Sequence, residues 1–112
     1  MILRIDGAQV PVTWEDNESV QALFALAPLT IELSMYGGFE QVGPIGTSLP
    51  RNDRQTTTAP GDLVLYSGNQ LVVFDGTNSW AYTRLGHVDL TKAELTALLS
   101  EHDATITLEA GK

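Results

Sequence analysis

The sequence predicts a mainly β domain: a closed antiparallel barrel with short helices at its ends. Short apolar–polar alternations recur along the chain, helical spacing occurs in only two well-separated stretches, and turn residues punctuate nearly every junction. Alternating βαβ units would place a helix after each strand, which this order does not do. A sheet closed on itself, with helices plugging its ends, fits better and removes exposed strand edges. At 112 residues one hydrophobic core, and so one domain over 1–112, is expected.

Ile2 to Ile5 and Gln9 to Trp14 flank Asp6-Gly7, a dipeptide suited to the positive φ angles of a type I′ hairpin turn. Pro11 has no N–H for a ladder and places the second strand at an edge or at a non-bonded position, with Val10, Val12 and Trp14 on one face. The acidic run Glu15-Asp16-Asn17-Glu18 supplies N-caps for a short helix carrying Val20, Leu23, Phe24 and Ala27, which Pro28 ends. Leu29 to Tyr36 alternates strictly, with Leu29, Ile31, Leu33 and Met35 opposite Thr30, Glu32, Ser34 and Tyr36, and predicts one long strand.

Phe39 to Pro60, broken by Gly43-Pro44, Gly46, Pro50 and Arg51-Asn52-Asp53-Arg54, reads as a long irregular excursion of the kind that is usually functional or mobile. A second hairpin pairs Leu63 to Tyr66 with Leu71 to Phe74, and Trp80 to Leu85 forms a further strand with Trp80, Tyr82 and Arg84 on one face. Thr91 and Glu94 stand in capping-box register before a helix whose buried stripe is Leu95, Leu98 and Leu99. Ala104, Ile106, Leu108 and Ala110 alternate along a terminal strand.

Composition narrows function by exclusion. No apolar run approaches the roughly 18 residues of a membrane-spanning helix, and the start MILRIDG lacks the apolar core of a secretory signal, so a cytoplasmic protein is expected. Without cysteine there is no disulfide framework, thiolate nucleophile or thiolate metal site. A net charge of −8 repels phosphate backbones and anionic lipid, which argues against nucleic-acid and membrane partners. His87 and His102 stand without metal-ligand spacing, the serines lack a nucleophile elbow, and no glycine run forms a phosphate loop, so neither metal nor cofactor is expected.

Met35-Tyr36-Gly37-Gly38-Phe39-Glu40, Gly46-Thr47-Ser48-Leu49-Pro50, Asn52-Asp53, Pro60-Gly61-Asp62-Leu63-Val64-Leu65-Tyr66, Gly68-Asn69-Gln70 and Trp80-Ala81-Tyr82-Thr83-Arg84-Leu85-Gly86 span most of the chain. As a set they resemble the small bacterial cyclophilin-like domain family. The resemblance implies a miniature cyclophilin barrel with a helix near each open end. Some members are joined to flavodoxin-like domains, which suggests a protein partner. Prolyl isomerases of this fold carry an arginine on the strand after the first helix, where it bonds the prolyl amide and lowers the ~18–20 kcal/mol rotation barrier. The corresponding strand here, Leu29 to Tyr36, offers Glu32 and no arginine.

Two groups of residues have the chemistry of a binding site. Arg51, Asn52, Asp53, Arg54 and Gln55 put guanidinium, carboxylate and amide groups on one loop, suited to an anionic or amide ligand or simply to holding the loop together. Glu32 and Tyr36 meet Trp80, Tyr82 and Arg84 if their strands are neighbours; with Tyr66 these aromatics would wall a cleft, or they are core and Arg84 pairs with Glu32. The expected function is a cyclophilin-like binding domain that holds a peptide or small molecule in a cleft beside 39–60 and performs no chemistry. The alternatives are a weak prolyl isomerase using Arg51, Arg54 or Arg84, and a docking domain for a flavodoxin-like or other protein.

Overall fold

The computed structural model describes residues 1–100 and 102–111. Among them the first hairpin forms as its turn dipeptide requires: β1 (Ile2–Ile5) pairs antiparallel with β2 (Ala8–Val10), and Asp6 and Gly7 take φ angles of 50° and 84°. The chain breaks its ladder at Pro11 and resumes as β3 (Val12–Trp14) in a different sheet. Helix α1 (Glu18–Phe24) is capped by Asn17, whose carboxamide oxygen accepts from the Val20 N–H at 2.9 Å. It ends three residues earlier than Pro28 alone implies, because Leu26 and Ala27 donate to the carbonyls three residues back and tighten the last turn.

The expected long strand is two strands, β4 (Leu29–Glu32) and β5 (Ser34–Tyr36). The alternation holds throughout, but at Leu33, whose N–H bonds the Ala104 carbonyl, the chain turns from one sheet to the other. The irregular excursion expected over 39–60 also contains strands: β6 (Glu40–Pro44), hydrogen-bonded on both sides, and β7 (Arg54–Thr57). Gly43-Pro44 is not a turn. Gly43 lies where β6 crosses the Leu33 corner, and a Cβ there would stand 2.2 Å from the Glu32 carbonyl oxygen.

β8 (Asp62–Tyr66) and β9 (Gln70–Phe74) form the second hairpin, turned by Ser67 and Gly68 at positive φ. β10 (Ser79–Val88) runs three residues past the expected end and serves three ladders, with β7, β8 and β3, a bulge between Arg84 and Gly86 changing its register. The capping box of α2 (Lys92–Leu99) forms as predicted: Thr91 Oγ1 accepts from Glu94 N–H, and the Glu94 carboxylate accepts from Thr91 N–H. β11 (Thr105–Glu109) lies between β1 and β4.

The barrel expectation is corrected in one respect. The strands form two open sheets, one ordered β2-β1-β11-β4 and the other β3-β10-β8-β9-β6-β5, with β7 added on β10; neither closes on itself. The physical reason is the pair of corners. At Pro11 and Leu33 the edge strands of the small sheet continue covalently as the edge strands of the large one, so the chain, rather than a ladder, spans each gap. The main core lies between the sheets: Ile5, Ile31 and Ile106 from one, Leu63, Val73 and Leu85 from the other, joined by Val20 and Leu23 of α1 and Leu95 and Leu99 of α2.

Candidate functional site

The larger sheet buries apolar side chains on both faces. Along β8, Leu63 and Leu65 enter the main core while Val64 points away; along β9, Leu71 and Val73 face the core while Val72 and Phe74 point away. Val64, Val72, Phe74 and Tyr82 thereby form a second apolar cluster on the outer face, covered in part by Phe39 and Val42. Tyr82 stacks edge-on against Phe74 and Tyr66, with ring centroids 5.6 and 6.1 Å away, and its hydroxyl accepts from Asn78 Nδ2 at 3.0 Å.

A cleft of about 590 Å³ opens over this cluster. Tyr36 from β5, Tyr66 from β8 and Trp80 from β10 wall it, Val42 and Val72 contribute to its floor, and Glu40 lies beside Tyr36 across the β5–β6 ladder. Tyr36, Tyr66 and Trp80 are 56%, 37% and 57% exposed, and they are the exposed large apolar side chains of the described residues. All of them converge on this one cleft. Burial pushes the Glu40 carboxyl above its ordinary range. Burial likewise raises the Tyr82 phenol, against the bond from Asn78, with the Glu40 charge and Tyr66 adding to the rise.

A second cleft, about 570 Å³, lies on the other side of Tyr82, which lines both. It gathers Arg51, Asn52, Arg54 and Gln55 with Arg84 and, facing them, the acidic Glu15 and Glu18. The arginines are differently committed. Arg84 pairs with the buried Asp62 at 3.1 Å and reaches toward the Thr57 carbonyl, while Arg51 stands 3.5 Å from Asp53. Arg54 enters no ion pair among the described residues. Asp53 accepts from Thr83 Oγ1 at 2.7 Å, and that hydroxyl accepts from Asn52 N–H, so β10 pins this loop.

The eleven residues singled out from the sequence therefore divide between two clefts. Tyr36, Tyr66, Trp80 and Tyr82 line the aromatic one; Arg51, Asn52, Arg54, Gln55, Arg84 and again Tyr82 line the polar one, and Asp53 anchors its loop. Glu32 belongs to neither: it sits on the small sheet beyond the Leu33 corner and accepts from Thr105 Oγ1. The suggested Arg84–Glu32 pair is replaced by Arg84–Asp62, a carboxylate that also holds His87 Nδ1 at 2.9 Å and the Ala59 N–H. His102 is paired elsewhere, with Asp6.

Glu40, Val42, Val72 and Asn78 were not among the expected site residues. Two signals point to the first three of them. The unbroken apolar runs Leu63-Val64-Leu65 and Leu71-Val72-Val73-Phe74 mark strands covered on both faces, and Glu40 alternates with Val42 immediately after the Gly37-Gly38 turn. Among curated proteins none matches this chain. The model of the cyclophilin-like family matches residues 3–109, nearly the full length, and the chain belongs to the cyclophilin-like family.

Proposed function

We propose that this domain is a binding module whose aromatic cleft holds a peptide or small molecule and performs no chemistry on it. One observation carries the reading: every exposed large apolar side chain among the described residues lines the same cleft. Exposed apolar side chains scattered singly over a surface are ordinary, whereas three gathered around one concavity expose a contiguous patch that a ligand would cover. The cleft borders the 39–60 segment through β6, where a ligand site is expected from the sequence.

Trp80 supplies its own reporter, because the second tryptophan, Trp14, packs edge-on against Phe24 at 4.9 Å, partly buried against the main core, and serves as an internal control. A panel of short peptides, proline-containing ones included, and of planar fragments is titrated while the two indole N–H resonances are followed. Bound ligands move the Trp80 signal and leave Trp14 still. Trp80→Ala weakens any such ligand by roughly 10- to 30-fold, the range of an aromatic anchor. Arg51→Ala combined with Arg84→Ala reports whether the polar cleft shares the ligand. A panel that never moves Trp80, or a Trp80→Ala variant with unchanged affinity, refutes the assignment.

The isomerase reading rests on Arg54, which borders the polar cleft with its charge unpaired among the described residues. Catalysis of proline-peptide isomerisation that disappears in Arg54→Ala would carry it. Co-purification of a protein on the aromatic face would favour the docking reading instead.

A further inference from the structure

Among the described residues Glu40 is the one charged side chain lining the aromatic cleft. It is partly buried, and among the described residues no hydrogen bond or cation offsets the desolvation of its carboxyl. The basic side chains of the described residues are occupied elsewhere: Arg4 with Glu109, Arg51 with Asp53, Arg84 with Asp62 and Lys92 with Asp75, while Arg54 borders the other cleft. A half-desolvated carboxylate without a partner gains most from a positive charge brought to it. The rings around it act in the same sense, since tryptophan and tyrosine faces attract cations. A net charge of −8 favours the approach of positive ligands over the whole surface.

Other occupants fit less well. Calcium and magnesium take about six or more oxygen ligands and zinc typically about four ligands, at least about three of them from the protein, and a single carboxylate among aromatic rings provides too few. An anion would meet Glu40 with no basic side chain of the described residues in the lining. Resting on the reading of this cleft as the ligand site, we infer that it recognises an organic cation, an alkylammonium or guanidinium group held between Glu40 and the rings of Tyr36, Tyr66 and Trp80.

The test compares choline with its neutral carbon isostere dimethylbutanol, and acetyl-Gly-Lys-Gly-amide with the same peptide carrying norleucine, on the full chain. The readout is the Trp80 indole resonance. Each cation is expected to bind at least about tenfold more tightly than its neutral counterpart. In Glu40→Gln, whose remaining amide spectrum checks that the fold is kept, that preference collapses to within about threefold while neutral binding is unchanged. A stronger response to the peptide than to choline assigns the cation to a polypeptide side chain, and the reverse assigns it to a free small molecule.

Equal affinity for cation and isostere, or a preference that survives Glu40→Gln, overturns the cation inference and leaves the cleft a binding site. Silence of all four probes at millimolar concentration also overturns it. In that case the broader peptide and fragment panel decides separately whether the cleft binds anything.

Discussion

Gln41 offers a demanding test of how this fold holds its site in place. Its side chain is fully buried at 0% exposure, and each of its polar atoms is used. Nε2 donates to the Leu99 carbonyl at 2.6 Å and the His102 carbonyl at 2.9 Å, while Oε1 accepts from the Ala104 N–H at 2.7 Å. One amide thus ties β6 to the end of α2 and the start of β11. Gln41→Met keeps nearly the same volume, so cavity formation contributes little and the loss is polar. The Leu99 and Ala104 groups, in residues that are 0% and 1% exposed, lose their partner in the interior. At about 1–3 kcal/mol for each buried unsatisfied group, the two together cost about 2–6 kcal/mol. His102 is exposed and its carbonyl can turn to water.

Relieving the buried carboxamide of its own desolvation offsets part of this, and a net loss of about 3 kcal/mol is expected. That is a large share of the roughly 6–17 kcal/mol typical of a chain this size. Urea unfolding should show the midpoint falling by about 1–3 M with an unchanged slope. The Ala104 amide should also exchange its hydrogen faster than its neighbours in β11. A midpoint shift below about 0.3 M, or an Ala104 amide as protected as before, would refute the clamp. Because Glu40 and Val42 flank Gln41 and face the cleft, the same clamp sets the strand that carries the proposed cation ligand.

Two further outcomes follow from backbone geometry and charge. Gly61 has φ +96°, and a Cβ there would stand 2.6 Å from the Val88 carbonyl oxygen, so Gly61→Ala should lower thermal stability by about 2 kcal/mol or more; an unchanged melting curve contradicts this. Burial opposes the charge of Asp6, but the bond from Thr105 N–H and the neighbouring His102 outweigh it and hold the carboxyl below its ordinary 3.8. A depressed carboxylate contributes stability above its unfolded pKa and loses it as pH falls through the folded one, so this contribution should fade below about pH 3.8. Asp6→Asn keeps the positive-φ turn and removes the titration; its urea midpoint should approach that of the parent chain as pH falls from 6 to 3, and parallel curves over that range would contradict the linkage.

Sequence alone determined the features that depend on neighbours a few residues apart. The Asp6-Gly7 turn, the Thr91–Glu94 capping box and the alternation from Leu29 to Tyr36 all appear where their residue types require, because turn angles, cap bonds and side-chain period are local. The motif set that resembles the cyclophilin-like family is likewise written along the chain, and the family match spans it.

Tertiary structure decided what depends on which strands become neighbours. Leu33 looks like any inward residue of one strand, and only the contact of β6 with the corner through Gly43 makes it the point where one sheet passes to the other. That turn carries Glu32 away from Tyr36 and leaves Arg84 to Asp62. Gly43-Pro44 reads as a loop until β9 pairs with it. The division of the candidate residues between an aromatic and a polar cleft also depends on the order of strands in the larger sheet. Alternation says which residues share a face, but only long-range pairing says which faces meet.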